Sequence, residues 1–279
     1  MHSSRNYLQK LKLLSVFFTF FVDNLSWAIV FPVFAPFFLD ANHQIFSPET
    51  SVAFKTMILG IFLSVFPLAQ FLGAPLIGEF ADKNGRRKAF IYTLFCTSTG
   101  FFLSALGMQF DILWILFVGR FISGLFSGNL SICLAAVSDL SEDSSHRVKY
   151  FGYLAMTAGV SFILGAFIGG RFSDESLSPY FGPALPFWIG SIIGLVNLVF
   201  MCLFFQESFK KNPNIHFHFF DSMKNIRLAL RTKKIKTVYS VYFLFIFSWN
   251  ILMQFTHVVL VSQLKFSNSS LGNIVALFG

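Results

Sequence analysis

The sequence predicts an all-α polytopic membrane protein, and three observations support this prediction. Hydrophobic residues make up 55% of the 279 positions, and charged residues make up only 12%. Mean hydropathy is +0.67, a value at which a water-soluble domain would lack the polar residues that its surface requires. The apolar residues also form separate runs of about 20 or more, the length that crosses a bilayer as a helix.

Seven apolar runs meet this length criterion, and an eighth begins near Asn268 and continues to Gly279. The first run has no small-residue cleavage site and is too long for a signal-peptide core, so it is predicted to remain as a span. Because a complete eighth span does not fit before Gly279, we expect a C-terminally truncated membrane fold. The seven runs cover approximately residues 13–39, 53–81, 89–109, 111–138, 150–172, 183–206 and 237–264.

The basic residues lie mainly between the runs and indicate the orientation of the chain. Seventeen of the 21 lysines and arginines precede the first run or fall in the second, fourth and sixth loops. Since positively charged loops stay in the cytoplasm, the N-terminus is predicted to be cytoplasmic. The formal net charge of +8 therefore predicts contact with a lipid bilayer and not with nucleic acid.

The longest polar stretch divides the sequence into three parts. Between Glu207 and Lys236, apolar and basic residues recur at helical spacing, which predicts a basic amphipathic helix on the cytoplasmic membrane surface. Because this stretch follows six spans, we expect a six-helix bundle at 1–206, a linker at 207–236 and the start of a second bundle at 237–279.

A short internal repeat supports this division. The second run ends with Gly78-Glu-Phe-Ala-Asp82 and the fifth with Gly170-Arg-Phe-Ser-Asp174, so both follow the pattern G-x-F-x-D. The two copies are expected at opposite membrane faces, where an inverted repeat of three plus three spans would place them.

The loop after the second run, residues 78–88, carries the most specific motif of the sequence, GEFADKNGRRK. A helix is predicted to end near Asp82, Gly85 suits a turn with positive φ, and the cluster with Arg86 and Arg87 suits anionic head groups. This signature loop resembles the G-x-x-x-D-x-x-G-R-[RK] loop of the major facilitator superfamily. The resemblance implies a major facilitator fold, in which these residues form a conformational latch between the two halves.

The loop after the fourth run resembles a second pattern of the same superfamily. An aspartate, an arginine and a glycine follow one another along residues 139–152. By this resemblance, Asp139 and Arg147 belong to the latch, and Arg147 is the expected ion-pair partner of Asp82 or Asp139. Exposed pairs contribute little stability, so the predicted role of these contacts is to orient the loops.

The fourth run places a charged residue inside the membrane. Arg120 lies about ten residues into the run, and Gly124 and Gly128 follow at a spacing that allows close helix packing. An intramembrane arginine indicates a functional site, because its burial is costly. The segment resembles the R-x-x-x-G-x-x-x-G motif of drug/proton antiporters of the multidrug or tetracycline efflux type. That resemblance implies proton coupling by Arg120, and the alternative is a structural role in pinning helices together.

Asp23 lies at a similar depth in the first run and resembles the acidic motif of the antiporters' first span. We expect Asp23, near Arg120, to exchange the coupling proton as water access alternates, and the alternative is an aspartate that only packs helices. Other polar residues within the runs are candidates for lining a cavity. They are Asn24, Gln70, Asn129, Asn250, Gln254 and His257.

The fifth run departs from the antiporter pattern G-x-x-x-G-P-x-x-G-G. Its packing glycines include Gly165 and Gly169, but Ala166 stands where the pattern has proline. A proline would bend the helix. Its absence weakens the case for antiport against symport or facilitated transport.

Together, these motifs predict a secondary transporter and not an enzyme. The sequence has no phosphate-binding glycine loop, no His-Glu-x-x-His and no nucleophile elbow, and its three cysteines lack metal-ligand spacing. The expected function is export of a small drug-like or metabolite molecule by alternating access, coupled to protons, across the bacterial cytoplasmic membrane. No cofactor or metal is expected.

Two alternatives to export follow from the same residues. The first is a proton- or sodium-coupled uptake carrier for a metabolite. The second is a truncated, non-transporting membrane protein, since two halves must enclose the site; a missing C-terminal half or self-association would then complete the cavity.

Overall fold

The computed structural model describes residues 2–39, 45–47, 49–207 and 233–277. Within these ranges all regular secondary structure is helical, which confirms the predicted all-α fold. The helices are α1 His2–Ile29, α2 Phe31–Leu39, α3 Val52–Asn84, α4 Arg86–Gln109, α5 Leu113–Leu125, α6 Asn129–Leu140, α7 Ser144–Phe172, α8 Leu185–Phe204, α9 Lys233–Leu264 and α10 Asn268–Ala276.

Seven helical segments of the described chain are long and apolar enough to cross a membrane. They match the seven apolar runs, with α1 and α2 forming the first span and α5 and α6 the fourth. Their ends extend past the apolar runs, because polar residues continue and cap the helices; Asp143, for example, accepts a hydrogen bond from the N–H of His146 at the start of α7. The segments are Gln9–Leu39, Val52–Asn84, Arg86–Gln109, Leu113–Leu140, Ser144–Phe172, Leu185–Phe204 and Lys236–Leu264.

Two spans are interrupted, although the sequence predicts continuous helices. The first span breaks at Val30, just before Pro32, whose ring nitrogen cannot donate to the helical ladder. The fourth span breaks between α5 and α6. There the backbone N–H and the hydroxyl of Ser127 both donate to the carbonyl of Gly124, and such local bonding by serine competes with helical pairing.

Glycines allow the spans to approach one another closely. A Cβ atom at Gly124 in α5 would lie 2.5 Å from the backbone oxygen of Phe66 in α3. In α7, Gly169 faces the backbone of Ile29 in α1, and Gly165 faces the preceding turn of α1 in the same way. These glycines bring the fourth span against the second and the fifth against the first.

The last two helices pack on the first six spans mainly at one end. α9 contacts α2, and α10 contacts α7 and α2, whereas most residues from 236 to 249 of α9 are exposed. Gly272 of α10 packs so closely on α7 that a Cβ atom there would lie 2.7 Å from the carbonyl oxygen of Ala166. This contact lies at the end of α7 opposite the signature loop.

The predicted amphipathic linker at 207–236 falls almost entirely outside the described residues, which stop at 207 and resume at 233. The division of the chain into a six-helix bundle, a linker and a second bundle therefore stays a prediction.

Candidate functional site

A cavity of about 450 Å³ lies between the first four spans, the sixth span and α9. This volume falls within the range of small-molecule sites. Six of the residues singled out in the sequence line it, namely Asp23, Asn24, Gln70, Arg120, Asn250 and His257. Much of the remaining wall is aromatic and includes Trp27, Phe31, Phe34, Phe66, Phe101 and Trp249.

Asp23 belongs to a chain of hydrogen bonds that joins three spans. The amide nitrogen Nδ2 of Asn129 donates to Asp23 Oδ1 at 3.1 Å, and the hydroxyl of Thr93 donates to Asn129 Oδ1 at 2.6 Å. Asn129 is fully buried and is the first residue of α6. The break in the fourth span therefore places an amide that holds the Asp23 carboxyl group at the cavity wall.

Arg120 lies against aromatic rings and not against Asp23. Its Cζ atom is 4.3 Å from the ring centroid of Phe66 and 5.3 Å from that of Phe34, and the residue is only 5% exposed. Within the described part of the chain, Arg120 forms neither an ion pair nor a hydrogen bond. The two charged residues thus face one cavity but do not pair, so the expected proximity of Asp23 to Arg120 is not a direct contact.

Three amides on the cavity wall are held by backbone carbonyls. Gln70 Nε2 donates to the carbonyl oxygen of Ser127 at 3.2 Å. The break in the fourth span leaves this carbonyl without a helical hydrogen bond, and Gln70 replaces that bond. Asn24 and Asn250 each donate to the carbonyl four residues earlier in their own helix, at 2.8 Å.

The α9 side of the cavity carries a buried histidine. His257 is 4% exposed, and its imidazole centroid lies 5.7 Å from that of Phe31 in a tilted arrangement. Asn250 lies two helical turns earlier on the same face of α9. Gln254 lies within α9, but its side chain is outside the described part of the structure.

At one end of the bundle, the signature loop is tied to the end of α8. The carboxylate of Glu207 accepts hydrogen bonds from the backbone N–H groups of Arg86 at 3.0 Å and Arg87 at 3.2 Å, at the start of α4. In return, the Arg87 guanidinium donates to the carbonyls of Phe205 at 2.9 Å and Cys202 at 2.8 Å. Each helix end is capped by a charged group from the other. Sequence reasoning missed Glu207, whose only signal was a lone carboxylate just after the sixth span.

Gly85 makes the turn that joins α3 to α4, with a φ of +100°, as the sequence predicts. A side chain at this position would overlap the carboxylate of Glu207. At the other glycine of the signature loop, Gly78, no atom of the described residues outside the neighbouring backbone lies within 4 Å of the place where its Cβ atom would be. The structure thus gives a steric reason for glycine at position 85 and none at position 78.

Arg86 is the ion-pair partner of both aspartates assigned to the latch. Its Nη1 atom lies 2.5 Å from Asp82 Oδ1, and its Nε atom lies 3.6 Å from Asp139 Oδ2. The sequence assigned this pairing to Arg147, and that assignment is wrong. Arg147 is exposed on the first turn of α7, whereas Arg86 follows Asp82 by one helical turn and points to the end of α6.

At the opposite end of the bundle, Asp174 caps α10. Its Oδ2 atom accepts a hydrogen bond from the N–H of Ser269 at 3.1 Å, and Asn268 Nδ2 donates to the carbonyl of Ser173 at 2.9 Å. Burial raises the pKa of Asp174, but hydrogen bonds from Ser176 and from Ser269 outweigh burial, and the pKa lies below its ordinary value. The second copy of G-x-F-x-D therefore ends on a carboxylate that holds the start of α10.

We expect acidification to loosen the contact of α10 with α7. Because the hydrogen bond from Ser269 of α10 contributes to the lowered pKa of Asp174, the ionised carboxylate favours docking above the ordinary value of 3.8, and this stabilisation disappears as the pH falls through the lowered pKa. A charge at a helix N-terminus contributes about 0.3–1 kcal/mol, so the protection factors for backbone hydrogen exchange in residues 267–277, which are corrected for the pH dependence of intrinsic exchange, should fall about two- to fivefold. Hydrogen exchange at neutral pH and well below pH 3.8 measures this.

The variant Asp174→Asn should show the faster exchange already at neutral pH. Glu175→Gln is the matched control, because it removes a neighbouring carboxylate that makes no hydrogen bond to α10. Equal exchange rates in the two variants would contradict a role for Asp174 in docking α10.

Among the described residues, no group of three or more His, Cys, Asp and Glu side chains is arranged to hold a metal ion.

Comparison with known proteins gives one family match and several relatives. The sequence profile of the Major Facilitator Superfamily matches residues 16–279. Tetracycline resistance protein, class H, of Pasteurella multocida is 30% identical over 152 residues, which are 54% of this chain and 36% of that protein. Tetracycline resistance protein, class D, of Salmonella ordonez is 31% identical over 187 residues, which are 67% of this chain and 43% of that protein.

Among solved structures, that of a human organic anion transporter superposes on this chain with a TM-score of 0.70 at 20% identity. The match covers 96% of this chain and 69% of that one. At this identity the likeness concerns the fold. The matches to the two tetracycline resistance proteins span less than half of their length.

Proposed function

The chain belongs to the major facilitator superfamily, and from this membership we propose that it forms part of a secondary transporter that exports a small molecule in exchange for protons. Its relatives named as tetracycline resistance proteins support a drug-like cargo. The chain is an integral, multi-pass membrane protein, and the proposed location is the bacterial cytoplasmic membrane with the N-terminus in the cytoplasm.

The placement of Asp23 carries this proposal. Its carboxyl group faces the cavity inside the membrane and is held there by Asn129. An ionisable group at such a depth marks an ion or substrate pathway. Asp23 can bind a proton when the cavity opens to one side and release it when the cavity opens to the other, and a charged cargo beside it would be linked to that exchange.

The one-sided contact of α9 and α10 supports alternating access. These helices touch the first six spans beside Asp174 and are separate from them near the signature loop. With the signature loop in the cytoplasm, this arrangement is open to the cytoplasm. Breaking the Asp174 contact and forming one at the other end would expose the cavity to the opposite side.

The signature loop is the proposed latch for that second state. Asp82, Arg86 and Asp139 already form one charged group at this end of the bundle, and Glu207 ties it to the sixth span. In the proposed division, residues 1–206 form the bundle that moves as one body against the unit beginning at 237.

Efflux of a fluorescent drug-like dye from membrane vesicles containing the protein tests this proposal. We expect efflux to require a proton gradient. We also expect it to fall at least tenfold in Asp23→Asn, because an amide cannot take up and release a proton as a carboxylate does. The exposed Glu142→Gln is the control for removal of a carboxylate outside the cavity. Efflux without a gradient, at an equal rate in Asp23→Asn and the unaltered protein, would overturn the proposal.

A second candidate function, uptake by proton or sodium symport, is favoured by Ala166. This residue stands where the antiporter pattern has proline. It is fully buried in an unbroken α7 and packs against Gly272 of α10. The direction of transport under an imposed gradient separates the two functions, because accumulation along with protons would establish uptake and extrusion against them would establish export.

A further inference from the structure

We propose that Arg120 is the counter-ion for an organic anion, and that the cavity selects aromatic monocarboxylates over neutral and cationic molecules of the same shape. This inference rests on the transport function proposed above for the same cavity and names the chemical class of its cargo.

The first step of the argument concerns charge. Arg120 is nine-tenths buried and lines the cavity, yet no carboxylate of the described chain pairs with it. The other carboxylate in the cavity, Asp23, is engaged by Asn129. A buried cation without a partner carries a large desolvation cost, and an anionic ligand in the cavity would offset that cost.

The second step concerns hydrogen bonding. Phe66 and Phe34 attract the guanidinium through their ring faces, but a ring face offers no oxygen to the five N–H donors. These donors meet no acceptor within the described residues. A carboxylate matches the fork of a guanidinium with two parallel hydrogen bonds, which a hydroxyl or an ammonium group cannot do.

The third step concerns the rest of the wall. Trp27, Phe31 and Trp249 stand around the same space, so a ring attached to the carboxylate can stack on aromatic side chains. A small aliphatic anion would leave most of the roughly 450 Å³ without contacts. A cation would place its charge beside Arg120 and is disfavoured by repulsion.

Binding of three matched probes to the purified protein in lipid nanodiscs tests the proposal. The probes are 2-naphthoate, 2-naphthylmethanol and 2-naphthylmethylammonium, which share a fluorescent ring system and differ in charge. Because a charge-assisted pair of hydrogen bonds is lost in the other two, 2-naphthoate should bind at least about tenfold more tightly than either. Equal affinity for the carboxylate and the alcohol would overturn the proposal without any variant.

Two variants assign the preference to Arg120. Arg120→Gln should lose the preference for 2-naphthoate and keep its affinity for 2-naphthylmethanol, which also shows that the cavity is intact. Arg120→Lys should keep part of the preference, since it retains the charge but not the fork. A carboxylate preference that persists in Arg120→Gln would overturn the assignment.

The assay separates this inference from the proposed transport function, because binding is measured without a gradient. Selective binding of 2-naphthoate by a protein that moves no cargo would support the anion site and refute transport. Gradient-driven transport by a protein that binds all three probes equally would leave the transport function standing and overturn the anion site.

Discussion

Replacing Gly124 with alanine is expected to lower the free energy of unfolding by about 3 kcal/mol, the upper range for overpacking a buried contact. The added Cβ atom would lie 2.5 Å from the backbone oxygen of Phe66 and 3.0 Å from the Cβ atom of Ala69. A backbone oxygen cannot rotate away, so α5 and α3 must separate. Because Phe66 also holds Arg120, the same change should disturb the cavity.

Thermal unfolding of the purified protein measures this effect, and a loss of about 3 kcal/mol should lower the Tm by roughly 8 °C. Gly60→Ala is the matched control in α3, since no atom of the described residues outside the neighbouring backbone lies within 4 Å of the position of its Cβ atom and alanine is the better helix former. If both variants unfold at the temperature of the unaltered protein, the close contact of the two spans is not as described.

Replacing Gly85 with alanine is expected to cost about 2–4 kcal/mol, from two sources that act together. An L-residue is strained at a φ of +100°, and its Cβ atom would displace the carboxylate of Glu207. The N–H groups of Arg86 and Arg87 would then lose their cap, and α4 and α8 would no longer be tied at the end of the bundle that carries the signature loop. Transport should fall along with stability, because the proposed latch is built on this turn.

Gly78→Ala provides the contrast within the signature loop. Both glycines belong to the motif, but the structure leaves open space only at position 78, so Gly78→Ala should retain the Tm and the transport rate. The two variants can be compared by thermal unfolding and vesicle transport. Similar losses in both would mean that the motif depends on glycine for a reason outside this geometry.

The number and order of the spans could be predicted from sequence because lipid imposes one simple condition. A segment crosses the membrane as a helix only if about 20 residues are mainly apolar, and the family match over residues 16–279 confirms the resemblance carried by the signature loop. The breaks at Val30 and after Leu125 do not alter hydropathy. Hydropathy alone therefore predicts two spans as continuous that the structure divides.

The residues of the candidate site were also predictable, but their partners were not. Depth along a span follows from counting residues, and Asp23 and Arg120, which this count places at a similar depth, line the same cavity. Contact also depends on rotation about each helix axis, and rotation turns Arg120 to Phe66 while Asp23 meets Asn129. Thr93 had no signal, since a threonine in an apolar helix commonly bonds to its own backbone.

The partners in the signature loop were missed for a related reason. Glu207 is far from Arg86 in sequence and close to it only because α4 and α8 pack side by side. Arg147 is nearer in sequence to Asp139, and this proximity favoured Arg147 as the predicted partner. In the structure Arg147 is exposed on the first turn of α7, and both aspartates pair with Arg86 instead.

Because α9 contacts the rest of the described structure mainly at one end, a change in its tilt moves its other end the most. With 32 residues it is about 48 Å long, so a tilt of about 10° around the attached end would sweep the other end through roughly 8 Å. A small change of tilt where α9 contacts α2 would thus become a displacement as wide as a fused ring system at the other end of the helix. The size of this displacement is set by the length of the helix, so it requires no hinge within α9.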